Sequence, residues 1–362
     1  MNSKDYMELA ARMAERAQGL TSPNPPVGAI IVKNGIILSR GFTQPGGKPH
    51  AEIDAINKVK NKKNLKGAEM YVTLEPCFHT GKTKPCVDKL IQYRFSKIFY
   101  ADIDKNPLVN GKSIKKMREH KLKVYHCKIK DGAFNLNKIF FNKLLLNKPY
   151  VTLKIATTND NMIAQKNQKE RWITNQLSRK LSHYLRAKSD CMLVGASTII
   201  KDNPLLNCRI SGLEKSTPDL FILDSNLILN KKLNIFKIKN RKIFIFYNNQ
   251  KAKKLNTISG IKCIHIRQKN GKLDLNMVFN EIAKMGYNSV LVEGGRKLNT
   301  SLFQGNAVDQ LLWFKSSKKY GSNGIFAIEG QNSTMKDFIS KFKLVNKQYL
   351  SDDLLKTYLR IN

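Results

Sequence analysis

Three metal-binding side chains and one carboxylate constrain this sequence more than any other feature. The run His50-Ala51-Glu52 stands where a helix is expected to begin, and Pro76-Cys77 comes shortly after an expected strand. Cys86 comes after eight intervening residues. One imidazole and two thiolates form a three-ligand zinc site whose fourth position stays open for water. The fold must therefore bring a helix start and a strand end to one point.

Glu52 suggests what such a zinc site does. It lies two residues from His50, which places its carboxylate beside a water on the metal rather than on the metal itself. Zinc lowers the pKa of that water toward about 7. A carboxylate there takes the proton and passes it to a leaving amine, as in zinc-dependent nucleobase deaminases. A structural zinc knot or three unrelated residues are the alternatives, and the combination of His-Ala-Glu with two Pro-Cys pairs argues against both.

The spacing of the cysteines is unusual for a nucleobase deaminase. The general signature has two residues between them, whereas here the eight residues FHTGKTKP intervene. The longer loop adds His79 and Lys82 near the metal, and we expect both to contact substrate.

The net charge of +37 bears on possible partners. Such a charge favours nucleic-acid binding, but the lysines are spread along the whole chain instead of forming one patch. Lys, Asn and Ile have AT-rich codons, so genomic bias accounts for the composition. We therefore expect no nucleic-acid partner.

Length and cysteine usage indicate the domain count and the compartment. A chain of 362 residues is too long for one ordinary core, which predicts two domains. No apolar run reaches the roughly 18 residues of a membrane helix, and the N-terminus has no apolar signal core. Six cysteines without an export signal are expected to be thiols or metal ligands. We expect a cytoplasmic protein with no membrane partner.

The first 147 residues are expected to form one domain, a five-stranded mixed sheet with helices on both faces. Asn34-Gly35 is a strong hairpin turn between its first two strands. The expected helices span about 4–19, 50–60, 85–93 and 111–120, and the expected strands 29–32, 36–39, 70–74, 97–101 and 122–127.

Asn147-Lys148-Pro149 marks a boundary, after which residues 148–362 are expected to form a second α/β domain. Its expected strands span 151–156, 191–195, 219–223, 242–246, 261–266 and 289–293, and its expected helices 175–187, 275–285 and 296–303. Gly294-Gly295 stands between the last strand and the last helix. Such a turn lets backbone amides approach a phosphate at a helix N-terminus, although a lone Gly-Gly turn is weak evidence.

The sequence resembles the bifunctional riboflavin-biosynthesis deaminase/reductase family over nearly its whole length. The matching segments are NPPVGAIIV, PHAE, VTLEPCFHTGKTKPC and DKNPLVNGKS in the first half, and LKIA, RWIT, HYLRAKSD, VGASTIIKDNPLLNCR and VEGGRKLNTSLF in the second. The resemblance implies a cytidine-deaminase-like three-layer αβα domain followed by a dihydrofolate-reductase-like α/β domain.

The resemblance also implies two successive reactions. First, 2,5-diamino-6-(5-phosphoribosylamino)pyrimidin-4-one loses an exocyclic amine as ammonia. NADPH then reduces the ribosyl group, which gives 5-amino-6-(5-phosphoribitylamino)uracil. The implied cofactors are one zinc ion per chain and NADPH, and the implied assembly is a homo-oligomer, either a dimer or a tetramer.

The family's site positions map onto individual residues of this sequence. In the first half the zinc ligands match His50, Cys77 and Cys86, the proton donor matches Glu52, and the substrate positions match Asn24, His79, Lys82, Asp104 and Asn106. In the second half the NADPH positions match Ala156, Trp172, Thr198, Asp202, Ser225, Gly295, Arg296, Lys297, Leu298, Asn299, Thr300 and Ser301. The second substrate site matches Lys154, Glu170, Arg186, Leu206, Arg209 and Glu293.

Three places depart from the family pattern. Thr43 stands where many relatives have His, which affects one polar contact. Glu170 stands where the family usually has a Ser that meets substrate, and a carboxylate near phosphate is unfavourable unless the adjacent Lys169 offsets it. Asp160-Asn161 replaces an Asp-Gly turn, which Asn preserves because it tolerates positive φ.

A different function stays open on the sequence alone. The chain could be a zinc deaminase that acts on tRNA or another nucleobase, with a degenerate, non-catalytic C-terminal domain. The charge favours this alternative. The long loop between the cysteines and the motifs beyond residue 148 favour the riboflavin-pathway function.

Overall fold

The computed structural model describes residues 1–79, 84–129, 134–167, 170, 172–249, 261–329 and 335–361. The chain divides into two compact units, Met1–Lys148 and Pro149–Asn362. Within the described ranges, no helix has the length and apolar character that crossing a membrane requires.

The first unit is a mixed sheet with five helices among its described residues. The strands are β1 (Gly28–Lys33), β2 (Ile36–Phe42), β3 (Glu69–Leu74), β4 (Lys97–Asp102) and β5 (Lys123–His126), in the order β2-β1-β3-β4-β5. The helices are α1 (Ser3–Ala17), α2 (Ala51–Lys58), α3 (Cys86–Gln92), α4 (Lys112–Glu119) and α5 (Phe134–Leu146). Strand β1 runs antiparallel to β2 and β3, and β3, β4 and β5 are parallel. The expected five-stranded mixed sheet is confirmed, whereas α5 was not anticipated.

Local sequence explains how α1 and the first hairpin form. Asn2 caps α1 by accepting hydrogen bonds from the backbone of Lys4 and Asp5, and Asp5 accepts one in return. Asn34 and Gly35 both have positive φ, 50° and 77°, as a two-residue hairpin requires.

The second unit is built on a nine-stranded sheet. Its strands are β6 (Tyr150–Thr157), β8 (Cys191–Gly195), β9 (Asp219–Leu223), β10 (Ile243–Tyr247), β11 (Ile261–His265), β14 (Ser289–Val292), β15 (Gln310–Lys315), β17 (Phe342–Leu350) and β18 (Asp353–Arg360). The order is β11-β10-β9-β8-β14-β6-β15-β18-β17, and all pairs are parallel except those that involve the final hairpin β17–β18.

Helices and short strands complete this unit. They are α6 (Gln176–Ala187), α7 (Ala196–Asp202), α8 (Leu275–Lys284), α9 (Arg296–Gln304) and α10 (Met335–Ile339), with β7 (Met162–Gln165) paired to β16 (Gly324–Phe326) and β12 (Gln268–Lys269) paired to β13 (Lys272–Leu273). Strands β8, β9 and β10 are almost continuous apolar runs, as expected where helices cover both faces of a parallel sheet. Ligands of such folds bind at the carboxyl ends of the strands.

Candidate zinc site and candidate reductase site

The start of α2 and the segment after β3 assemble the metal cluster. His50 is the N-cap residue of α2, and Cys86 is the first residue of α3. The potential ligand atoms of His50, Cys77 and Cys86 all lie within 4.8 Å of one another. The structure therefore brings together the three residues that the sequence predicted as ligands.

The spacing of these atoms fits zinc. Nδ1 of His50 lies 3.5 Å from Sγ of Cys86. Ligands at the usual zinc–nitrogen and zinc–sulfur distances are roughly 3.5 Å apart at tetrahedral angles. A hydrogen bond from Cys86 and the nearby His50 lower the pKa of Cys77, so one thiol already favours the thiolate that zinc binds.

Glu52 lies in the first turn of α2 and is 3% exposed. Burial raises its pKa to about 7, against the opposing effect of His50. A carboxyl group with a pKa near neutrality both accepts and returns a proton readily. The position and the electrostatics of Glu52 suit the proton-transfer role that the sequence predicted.

Several predicted substrate residues surround the cluster. Nδ2 of Asn24 lies 3.4 Å from Nε2 of His50 and donates to the carbonyl of Gly47 at 2.9 Å. Burial raises the pKa of Asp104, and His79 is close enough for its charge to oppose that shift. Asp104 accepts a hydrogen bond of 2.9 Å from the backbone of Asn106.

Two further positions in this unit are Lys82 and Thr43. Lys82, the remaining predicted substrate residue, lies outside the described residues. Thr43 is buried and its hydroxyl accepts a hydrogen bond of 3.0 Å from the backbone N–H of Val27. The hydroxyl therefore ties two backbone segments together at the place where many relatives have His.

Sequence reasoning missed Glu75, which is 3% exposed and precedes the Pro76-Cys77 pair. Its carboxylate accepts hydrogen bonds from the loop that carries Asp104 and from the start of α4. The signal available in the sequence was a single acidic residue at the end of an apolar strand.

The second unit holds a buried cluster of charged groups. Arg186 contacts both carboxylate oxygens of Glu293, with Nε at 2.7 Å and Nη2 at 2.9 Å. Lys154 lies 4.0 Å from the same carboxylate. Burial opposes the charge of Glu293, but Arg186 and Lys154 outweigh it and lower its pKa to about 2. Burial lowers the pKa of Lys154 itself.

Two other predicted substrate residues lie next to this cluster. Arg186 also donates from Nη1 to the carbonyl of Asn207 at 3.1 Å, and Arg209 donates to the Asn207 side chain at 3.2 Å. Leu206 is buried with a φ of 51°. The structure thus brings Lys154, Arg186 and Glu293 into one cluster, and Asn207 links Arg186 to Arg209.

The glycine turn lies at the carboxyl end of β14, where α9 begins. A Cβ atom at Gly295 would lie 3.1 Å from Oγ1 of Thr198, and one at Gly294 would lie 2.7 Å from Oδ1 of Asn299. This Asn299 oxygen is buried and has no hydrogen-bond partner among the described residues. A crowded, side-chain-free turn at a helix N-terminus fits a phosphate-bearing cofactor such as NADPH.

The other predicted cofactor residues differ in their position relative to the glycine turn and in their exposure to solvent. Ala156 near the end of β6 and Ser225 just after β9 lie at the same edge of the sheet as the turn. Leu298, Asn299 and Thr300 of α9 are buried, whereas Arg296 and Ser301 are partly exposed and Asp202 and Lys297 are exposed. The side chain of Trp172 is 46% exposed and stacks against the guanidinium of Arg179 at 4.9 Å.

Glu170 forms an ion pair with Lys318, whose ammonium also donates to the carbonyl of Trp172 at 2.8 Å. Lys318 is thus a described cation that offsets this carboxylate. Lys169, which the sequence suggested for that role, lies outside the described residues, so that prediction stays untested.

Sequence models of two families match this chain. One, described as the RibD C-terminal domain, matches residues 149–356, and another, described as the cytidine and deoxycytidylate deaminase zinc-binding region, matches residues 1–102. The riboflavin biosynthesis protein RibD of Aquifex aeolicus is 34% identical over 362 residues, which cover 99% of this chain and 98% of that protein. RibD of Bacillus amyloliquefaciens is 35% identical over 312 residues, which cover 85% of this chain and 83% of that protein.

Solved structures agree with the sequence comparison. Acinetobacter baumannii RibD superposes with a TM-score of 0.88 at 27% identity, and the match covers 99% of both chains. A diaminohydroxyphosphoribosylaminopyrimidine deaminase/5-amino-6-(5-phosphoribosylamino)uracil reductase from Thermotoga maritima gives 0.86 at 30% identity, again with 99% of both chains covered. The fold and the two sites define an enzyme with a cytidine-deaminase-like zinc domain followed by a dihydrofolate-reductase-like domain. The chain belongs to the RibD family of riboflavin biosynthesis proteins.

Proposed function

We propose that this chain catalyses two successive steps of riboflavin biosynthesis. Residues 1–147 remove ammonia from 2,5-diamino-6-(5-phosphoribosylamino)pyrimidin-4-one, and residues 148–362 use NADPH to reduce the ribosyl group of the product. The observation that carries the proposal is the cluster of His50, Cys77 and Cys86 within 4.8 Å, with the buried Glu52 two residues after His50 in the first turn of α2.

In the first step, the bound zinc would make a water acidic enough to lose its proton near neutral pH. Glu52 accepts that proton and delivers it to the departing amine, a role that suits its pKa of about 7. Asn24 and Asp104 hold the pyrimidine through its polar edge, while His79 and Lys82 contact the phosphoribosyl part.

In the second step, NADPH supplies the hydride. The turn at Gly295 and the start of α9 hold a cofactor phosphate. Lys154, Arg186 and Arg209 supply the positive charge that attracts the phosphate of the substrate. Glu293 holds Arg186 in place and keeps the cluster from carrying several uncompensated positive charges.

One assay tests both steps. Ammonia release and NADPH oxidation are followed in one sample that contains the diaminopyrimidine, zinc and NADPH. We expect ammonia first and NADPH oxidation after it, in equal final amounts. Ammonia without NADPH oxidation would contradict the reductase assignment. Inosine formation from tRNA without turnover of the pyrimidine would contradict the whole proposal.

We also propose a homo-oligomer, either a dimer or a tetramer, located in the cytoplasm. Strand β17 forms an edge of the large sheet and exposes seven consecutive residues, including Val345 and Tyr349. An exposed edge of this length is suited to pairing with a second copy. The cysteine ligands Cys77 and Cys86 support the cytoplasmic location, because thiols stay reduced in that compartment. Sedimentation analysis tests the assembly, and a monomer at micromolar concentration would contradict it.

A further inference from the structure

Glu75 occupies a position between the metal site and the loop that carries Asp104. Its carboxylate is buried, and four donors surround it. Oε2 accepts from the backbone of Asp104 at 3.3 Å and of Gly111 at 2.9 Å. Oε1 accepts from the backbone N–H of Ser113 at 3.2 Å and from the Ser113 hydroxyl at 2.6 Å.

These contacts make Glu75 an N-terminal cap that another part of the chain supplies to α4. The residue that precedes α4 is Gly111, with a φ of 79°, and it offers no side chain for capping. The first N–H groups of a helix need acceptors, and a negative charge there is favourable. The carboxylate of Glu75 meets both needs at the start of α4.

The same carboxylate closes the loop 104–111 at both ends, because it binds the backbone of Asp104 and of Gly111. Inside the loop, Asp104 accepts from the backbone of Asn106 at 2.9 Å, and the Asn106 side chain accepts from Leu108 at 3.1 Å. Hydrogen bonds therefore connect successive residues of the loop, and Glu75 accepts the bonds at both of its ends.

Glu75 is also only two residues from Cys77, and its backbone N–H donates to the carbonyl of Asp102 at 2.8 Å. Because the backbone of Glu75 is held in this way, a shift of its side chain would move the loop that carries Asp104 and Asn106 relative to Cys77. The carboxylate itself is occupied by the four donors of the loop and of α4.

We propose that Glu75 is a positioning residue of the deaminase site, which holds Asp104 and Asn106 at a fixed distance from the metal ligands. This inference rests on the proposed function, in which those two residues hold substrate. A carboxylate is required because all four partners are donors. Glutamine would turn an N–H₂ group toward two of them; the Ser113 hydroxyl could then accept instead of donate, but at least one bond from a backbone N–H would be lost.

The test compares Glu75→Gln with Ser113→Ala and with a matched control, Glu69→Gln. Glu69 is a carboxylate at the start of β3, the strand that ends just before Glu75; it pairs with Lys97 at 2.6 Å and makes no contact with the loop in the described structure. For each full-length protein, KM and kcat of ammonia release are measured together with zinc content and NADPH oxidation on the deaminated substrate.

We expect Glu75→Gln to raise the KM of deamination roughly tenfold, because ground-state contacts with substrate are misplaced. Zinc content and reductase turnover stay unchanged, and kcat changes far less than KM. Ser113→Ala, which removes one of the four donors, shifts KM in the same direction by less. Glu69→Gln leaves KM unchanged.

Hydrogen exchange of the backbone amides of Asp104, Gly111 and Ser113 gives a readout that does not depend on turnover. Faster exchange in Glu75→Gln than in Glu69→Gln supports the proposal. Unchanged exchange together with an unchanged KM overturns it, as does loss of zinc without a change in KM. A wild-type protein that releases no ammonia would contradict the proposed function instead, and the exchange result would still decide the role of Glu75.

Discussion

Arg186 and Glu293 face each other in a bidentate ion pair, 2.7 and 2.9 Å long, with their side chains only 12% and 13% exposed. Lys154 lies beside them on β6, one residue after Leu153, which pairs with the last residue of β14. One anion therefore faces two largely buried cations, and it is the group that offsets their charge. This balance makes Glu293 the group on which the stability of the cluster depends most.

Replacing Glu293 with Gln should destabilise the second unit by about 3–5 kcal/mol, because Arg186 and Lys154 would stay buried without an anion. Denaturant unfolding monitored in this unit measures the loss. Glu281→Gln is the control, since Glu281 pairs with the largely exposed Lys284 and should change stability by less than about 1 kcal/mol. Equal effects of the two substitutions would contradict the prediction.

The same pair predicts how stability depends on pH. The pKa of Glu293 is about 2 in the folded protein against an ordinary value of 4.5, so its ionised form stabilises folding fully above pH 4.5. That stabilisation falls as the pH drops from 4.5 through 2. The difference in unfolding free energy between wild type and Glu293→Gln should therefore be smaller at pH 3 than at pH 6. A difference that grows toward acid pH would refute the assignment.

Glu52→Gln should abolish ammonia release and leave zinc bound, because the amide cannot accept and return a proton. Metal analysis and an ammonia assay on one preparation measure both effects. Asp54→Asn is a matched control on the same helix, since Asp54 contacts Lys58 and the backbone of Phe42 and not the metal cluster. Retained activity in Glu52→Gln would remove Glu52 from the proton path.

Sequence motifs predicted the elements and the site of the first unit more completely than those of the second unit. His50, Glu52, Cys77 and Cys86 are short-range signals, and each stands at an element boundary that hydrophobic periodicity also marks. Six of the nine strands in the large sheet of the second unit were anticipated, most of them as continuous apolar runs. The final hairpin β17–β18 received no prediction, since β17 exposes seven of its nine residues and therefore shows no alternation.

Contacts between residues that are far apart in the sequence were not predicted, for a different reason. Glu75 and Ser113 are 38 positions apart, and Glu170 and Lys318 are 148 apart. Neither pair has a spacing that a helix or a hairpin would impose. Their meeting depends on the packing of whole strands, which local patterns do not encode.

The close approach of β2 to α2 gives a last prediction. A Cβ atom at Gly41 would lie 2.3 Å from the carbonyl oxygen of Ala51 and 2.4 Å from the backbone nitrogen of Ala55. Gly41→Ala must therefore push α2 away from the sheet, and α2 carries Glu52 and follows its N-cap residue His50. We expect weaker zinc retention, slower deamination and a lower unfolding temperature of the first unit.

Gly67→Ala separates this packing effect from simple backbone strain. Gly67 has a φ of 76° but open space around it, so alanine there should cost only about 1 kcal/mol. Zinc content after dialysis against a weak chelator, together with thermal unfolding, compares the two variants. Because Gly67 is not packed against α2, Gly67→Ala should keep its zinc while Gly41→Ala loses it, and equal zinc content in both would show that the contact between β2 and α2 does not set the metal site.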